Sequence, residues 1–125
     1  MGLAANQARL NFLTLRKSDL EYRLIMLTNQ TQILATEQAE AVSKKAKALD
    51  KFNSSEAAKD INVSFSNTAE YAEYETAMAQ LEAAQTRLDN EQKALETEHQ
   101  AVSAEHENVQ KLVDNNIKKS FGYFN

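Results

Sequence analysis

The chain has 125 residues, a net charge of −4 at pH 7, no cysteine, no proline and only two glycines. The lack of cysteine excludes a disulfide framework and thiol chemistry. An acidic chain with no basic, aromatic-lined patch argues against nucleic acid as a partner, and the longest apolar run, Leu24 to Leu27, is far short of the ~20 residues a membrane span needs.

Alanine, glutamate, glutamine, lysine and leucine dominate, the composition of long helices and coiled coils. Gly2 and Gly122 sit at the two ends, where they interrupt nothing, so uninterrupted helix is permitted across nearly the whole chain. The opening MGLAANQARL lacks the basic start and continuous apolar run of a cleaved secretory leader. Asn6 stands where the myristoylation pattern needs serine or threonine.

In chain order, the first expected element is a helix from about residue 3 to 52. Leu13, Leu20, Leu27, Leu34, Ala41 and Ala48 recur every seventh residue, with Leu24 and Phe52 four residues after members of the series and Leu10 at the equivalent position, three residues before Leu13. Seven-residue spacing keeps one stripe facing one partner, which predicts a coiled-coil segment roughly 75 Å long at ~1.5 Å per residue. A connector over residues 53–67 breaks the heptads and collects Asn, Ser and Asp. Asn53 with Glu56, and Asn67 with Glu70, stand close to capping-box spacing. Between them Ile61, Val63 and Phe65 alternate with polar residues as a brief strand would, either folded over the tip or added to a neighbour's edge.

A second helix is expected over about 68–119, carrying Tyr74, Leu81, Leu88, Leu95, Val102 and Val109 at the same spacing, followed by an aromatic tail over 120–125. Two helices of matched length joined by a short connector lie antiparallel. The fold class is therefore all-α, an antiparallel two-helix coiled-coil hairpin with a short irregular tip connector, in one domain. Charge agrees: residues 1–60 hold nine basic against seven acidic residues (+2), and residues 61–125 hold five against eleven (−6). With the turn near residue 60, residues whose numbers sum to about 121 face each other. That register brings Lys44, Lys45, Lys47 and Lys51 to Glu75, Glu73 and Glu70, and Arg9, Arg16 and Arg23 to Glu107, Glu105 and Glu98. Exposed pairs are worth only ~0 to 1 kcal/mol each, so charge selects the pairing rather than driving it.

A two-stranded seam needs one narrow stripe per helix. The paired ends of this chain carry more. The expected assembly interface comprises Leu10, Phe12, Leu15, Tyr22, Ile25, Met26 and Ile33 from the first helix with Leu112, Val113, Ile117, Phe121, Tyr123 and Phe124 from the second. Contiguous apolar patches beyond a few hundred Å² usually mark an interface, so a homo-oligomer, polymeric in form, is expected.

The stretches NQARLNFLTLRKSDLEYRL and VQKLVDNNIKKSFGYFN, with apolar helical ends around a polar middle, resemble bacterial helical-hairpin filament subunits: the terminal helices of flagellins, and type III secretion needle and filament proteins. The resemblance implies a structural, self-assembling filament subunit, exported without a cleaved leader to the cell surface or beyond, with export machinery or a capping protein as further partners. A coiled-coil adaptor or prefoldin-like chaperone, retained in the cytoplasm, is the alternative. Its β segment would have to be shorter than in prefoldin subunits.

No motif names a reaction, so the chain is not expected to be an enzyme, and no cofactor or metal is expected. His99 and His106 lie on the seam face, roughly 10.5 Å apart in rise, too far to share one metal within a helix. Glu96 and His99 form a Glu-x-x-His pair, and a dimer could complete a di-metal carboxylate bundle. Otherwise the histidines fix register, with Gln85, Gln92 and Asn116, and their protonation would make assembly pH-sensitive. Arg16, Lys17, Asp19, Glu21 and Arg23 form a charged strip in the most apolar region, read either as intrahelical pairs such as Asp19–Arg23 or as charges registering one subunit on the next.

Overall fold

The computed structural model describes residues 2–124, with side chains described through Ser120. Helix α1 runs Leu3–Asn53 and helix α2 runs Ala69–Phe124, and the two pack against each other antiparallel as an all-α helical hairpin. Two short 3₁₀ turns, Glu56–Lys59 and Phe65–Asn67, lie between them. Helix α2 continues past residue 119, so the backbone of the expected tail through Phe124 is helical. The chain divides into two compact units, one made of the segments up to Leu27 and from Glu91 onward, the other of Thr28–Asn90.

In the unit that contains the paired ends, Leu13, Val109 and Val113 form the buried core, with Leu3, Leu10, Val102 and Ile117 packed around them. Leu20, 0% exposed, is the most completely enclosed side chain, and Leu27 is buried as well. These are the seven-spaced leucines of α1, as heptad geometry requires. Of the residues expected at the interface, Val113 is buried in this core, and Leu10 and Ile117 are half-buried against it. A two-helix seam uses two positions per heptad, and Leu10 and Val113 occupy the second one, beside Leu13 and Val109.

In the unit around the connector, Leu34 and Leu88 are buried, while Ala41, Ala48, Tyr74 and Leu81 are only half-buried. The connector is closed by aromatic rings. Phe65 lies 5.9 Å from Phe52 and 5.7 Å from Tyr71, edge-on to the latter, and Tyr71 lies 6.2 Å from Tyr74. Contacts of this kind contribute ~0.5–1.5 kcal/mol each beyond their buried area.

No strand forms among the described residues, which corrects the reading of Ile61, Val63 and Phe65. The Asn62 amide donates to Asp60 Oδ1 at 2.9 Å, and the Val63 amide donates to the Asp60 carbonyl at 3.1 Å. An Asx turn thus takes up the amides a ladder would need. Ile61 is left 98% exposed, and Phe65 alone turns inward.

Neither expected asparagine cap forms: Ser55, two residues past Asn53, precedes the first 3₁₀ turn and makes no side-chain cap bond there. Ser54 and Ser55 return both amide and hydroxyl to the carbonyls of Asp50 and Phe52, satisfying acceptors that end α1. Thr68, not Asn67, caps α2: its Oγ1 accepts the Tyr71 amide at 3.3 Å, and Glu70 sits in the positive first turn.

Ser103 Oγ is buried with no hydrogen-bond partner, an unusual cost inside a seam. Two substitutions in this unit should therefore move stability in opposite directions. Leu20→Ala should lower the unfolding free energy by about 2–5 kcal/mol, through lost burial and the cavity left behind. Ser103→Ala should leave it unchanged or raise it by up to ~1 kcal/mol, since only an unpaired hydroxyl is removed. Urea unfolding followed by circular dichroism at 222 nm reads both.

Candidate functional site

The unit with the paired ends holds two kinds of cross-helix polar contact, and each recurs one heptad along. Thr14 meets His106 at 3.0 Å, and seven residues on Glu21 meets His99 at 3.1 Å. These pairs lie within one residue of the expected register. The single hydroxyl proton of Thr14 is donated to the Leu10 carbonyl at 2.9 Å, so its oxygen accepts and His106 Nε2 donates. His99 Nε2 likewise donates to the Glu21 carboxylate. On the flank, Arg9 pairs with Glu105 and Arg16 with Glu98, again one heptad apart. Antiparallel helices must step toward opposite ends in this way, and both series do.

The arginine partners differ from the expected ones. Arg9 takes Glu105 rather than Glu107, Arg16 takes Glu98 rather than Glu105, and Arg23 turns to Asp19 on its own helix at 3.2 Å. Residues beside a seam reach past the opposite position, and long arginine stems span the extra rise. Asp19 also lies 3.5 Å from Arg16. Glu98, Arg16, Asp19 and Arg23 thereby form one linked group with no net charge.

Outside the seam, α1 keeps a second apolar face. Phe12, Leu15, Tyr22 and Ile25 are 61–72% exposed, and Met26 is exposed to a lesser degree. At 3.6 residues per turn they share one side of the helix with Ala4, Ala8, Asn11 and Ser18. Asp19 is the only charged residue on that side between Ala4 and Met26, and it is already held by two arginines. No seam contact needs these side chains, because Leu13, Leu20 and Leu27 fill the opposite side. Leu112 is exposed on α2 in the same unit. Phe121, Tyr123 and Phe124, also named as interface residues, lie outside the residues whose side chains are described.

In the connector unit, Ile33 is exposed on α1. A groove of about 510 Å³ also runs between the helices there, floored by Ala41, Ala48 and Ala77 with Tyr74 and Leu81. It exists because the seam residues shrink to alanine. Glu37, Glu40, Glu70 and Glu73 line it with Lys44 and Lys45. The expected lysine–glutamate pairs across this unit do not form among the described residues. Lys45 instead places Nζ 4.6 Å from the Tyr74 ring centre and 5.7 Å from that of Tyr71, a cation–π arrangement. Gln85 accepts from Gln38 at 3.2 Å, so this predicted polar seam residue does bridge the helices.

The di-metal reading finds little to work with. Glu96 accepts from Gln92 at 3.0 Å while His99 is occupied by Glu21, and no group of three metal-ligating side chains occurs among the described residues. No described helix is long and apolar enough to cross a membrane. Thr14 and Glu21 are the polar residues whose cross-helix roles the spacing concealed, whereas the Asp19–Arg23 pair forms as four-residue spacing predicts. Thr14 and Glu21 could have been found by stepping back along the register from the two histidines.

Near the groove, Tyr71 titrates above its ordinary value of 10.0, first because its hydroxyl donates to Glu75 and then because the Glu75 charge disfavours a phenolate. A raised folded-state value contributes stability that is fully present below pH 10 and is lost as pH rises through the folded value. Ultraviolet titration at the tyrosinate band should resolve one late-titrating tyrosine, and Glu75→Gln should return it to the ordinary range. Compared with protein-family models, curated proteins and solved structures, the chain matches none of them.

Proposed function

We propose that this chain is a structural subunit that self-associates through the outer face of α1, and that its copies build a helical filament of the kind its terminal stretches resemble. The observation that carries this reading is the second apolar face at Phe12, Leu15, Tyr22 and Ile25, which the hairpin's own seam leaves uncovered. Side chains of this size bury ~150–250 Å² when enclosed. At the observed exposures the face therefore presents on the order of 500 Å² per copy, and joining two copies removes about 1,000 Å², the lower bound of a specific interface. At ~25 cal/mol per Å² that is roughly 25 kcal/mol before association costs. Association must also meet ~4–15 kcal/mol of lost translational and rotational freedom, together with side-chain ordering and polar desolvation, so the area admits a specific contact but does not set its affinity.

Charge supports the same reading. Burying a face that carries an unpaired charge is strongly unfavourable, but here the one carboxylate is already neutralised by arginines at its edge. Filament formation then places the protein where subunits of the resembled families work, at the cell surface or outside it.

Replacing Ile25 with Asp puts an unpaired carboxylate at one end of the face while leaving the seam untouched. Wild-type chain should form large species whose mass rises with concentration, and negative-stain images should show fibres. Ile25→Asp should weaken association by about 100-fold or more, corresponding to ~3 kcal/mol, with helical content retained. A wild-type chain that stays monomeric at high micromolar concentration would overturn the reading.

A further inference from the structure

We infer that the groove of the connector unit is a binding site for a linear polyamine, a flexible chain of methylenes carrying several ammonium groups. This does not depend on self-association, because the groove and the outer face of α1 use different residues. The chain itself shows which chemistry the groove accepts. Lys45 is a tethered alkylammonium, and its Nζ lies 4.6 Å from the Tyr74 ring centre and 5.7 Å from that of Tyr71. Its stem lines the same groove as the alanine floor. One group of the proposed kind is therefore already held there, over the ring faces that attract cations.

Charge and shape extend the match beyond one lysine. Glu37, Glu40, Glu70 and Glu73 line the groove against only Lys44 and Lys45, an excess of two negative charges. None of the four carboxylates is paired among the described residues. The acidic residues also stand toward the two ends. With Gln38 across from Gln85, Glu40 falls across from Ala83, so Glu40 and Glu73 are separated by about ten residues, or roughly 15 Å at ~1.5 Å per residue. Between them the floor is apolar, where methylenes are buried and ammonium groups are not.

Other occupants fit less well. No group of three metal-ligating side chains occurs among the described residues, so the carboxylates do not converge on one cation. A peptide would bring backbone amides that need partners, and the floor offers only apolar side chains on helices whose own backbone is already paired. A polyamine brings no such debt, and the cavity of about 510 Å³ lies within the range of small-molecule sites.

Calorimetric titration of the full-length protein tests this at ~0.15 M salt, where diffuse attraction between exposed charges is largely screened. Spermine should bind one per chain and at least about tenfold more tightly than putrescine, which reaches the carboxylates of one end only. Ala41→Leu fills the floor without changing any charge, and should weaken spermine binding at least about tenfold while circular dichroism shows the helices retained. Lys45→Met frees the tyrosine faces and should tighten binding severalfold. Spermine that gives no saturable binding, or that binds Ala41→Leu as it binds wild type, would overturn the site. Displacement of spermine by magnesium at equal charge concentration would do the same, as would tighter binding of an oligolysine peptide, with a basic protein segment then the occupant.

Discussion

Enclosure of Leu13 and Leu20 between two antiparallel helices is the constraint from which the rest of the end-paired unit follows. An isolated helix gains little from its own hydrogen bonds in water, so a helix this long persists only if one side is covered. Leucine every seventh residue supplies that side, and Val109 and Val113 cover it from α2. Because the covered side is narrow, most of the circumference of α1 remains available. The apolar residues placed there are free to serve something other than the fold.

Polar contacts decide which way round and in what register the helices meet. A seam of leucines alone tolerates sliding by a heptad, since each step restores similar packing. Thr14 with His106, Glu21 with His99, and Arg9 and Arg16 with their glutamates repeat at the same interval, so a one-heptad slip would preserve some pairs and strand the outermost ones. Each exposed pair is worth little alone. Their value lies in the difference between the correct alignment and its nearest competitors. The connector adds an independent stop, because Phe65 fits between Phe52 and Tyr71 only when the helices enter the turn at their observed positions.

The helices, their direction and the leucine seam were legible because a sustained seven-residue repeat has few other meanings. The polar side of the register was legible only to within a turn. Arginine stems reach several ångströms along the axis, so residue numbers identify which charge clusters meet and not which carboxylate each arginine takes. Alternation at Ile61, Val63 and Phe65 imitates a strand, yet the Asp60 side chain captures the amides first, a local competition that periodicity does not register. Val113 looked like surplus because only one position per heptad was followed on the second helix, where a seam occupies two. The surplus at Phe12, Leu15, Tyr22 and Ile25 was visible from spacing alone. Half of its aspartate's neutralisation was legible too, as the Asp19–Arg23 pair at four-residue spacing; the second contact, from Arg16, was not.

Whether the α1 face is covered by another copy can be read residue by residue from hydroxyl-radical footprinting over a dilution series. The account predicts that Phe12 and Tyr22 react freely in nanomolar chain and become protected as concentration rises into the micromolar range, while Tyr74, in the groove of the other unit, reacts alike throughout. Protection of Phe12 and Tyr22 that persists at the highest dilution would mean the chain covers this face itself, and that result would contradict the account.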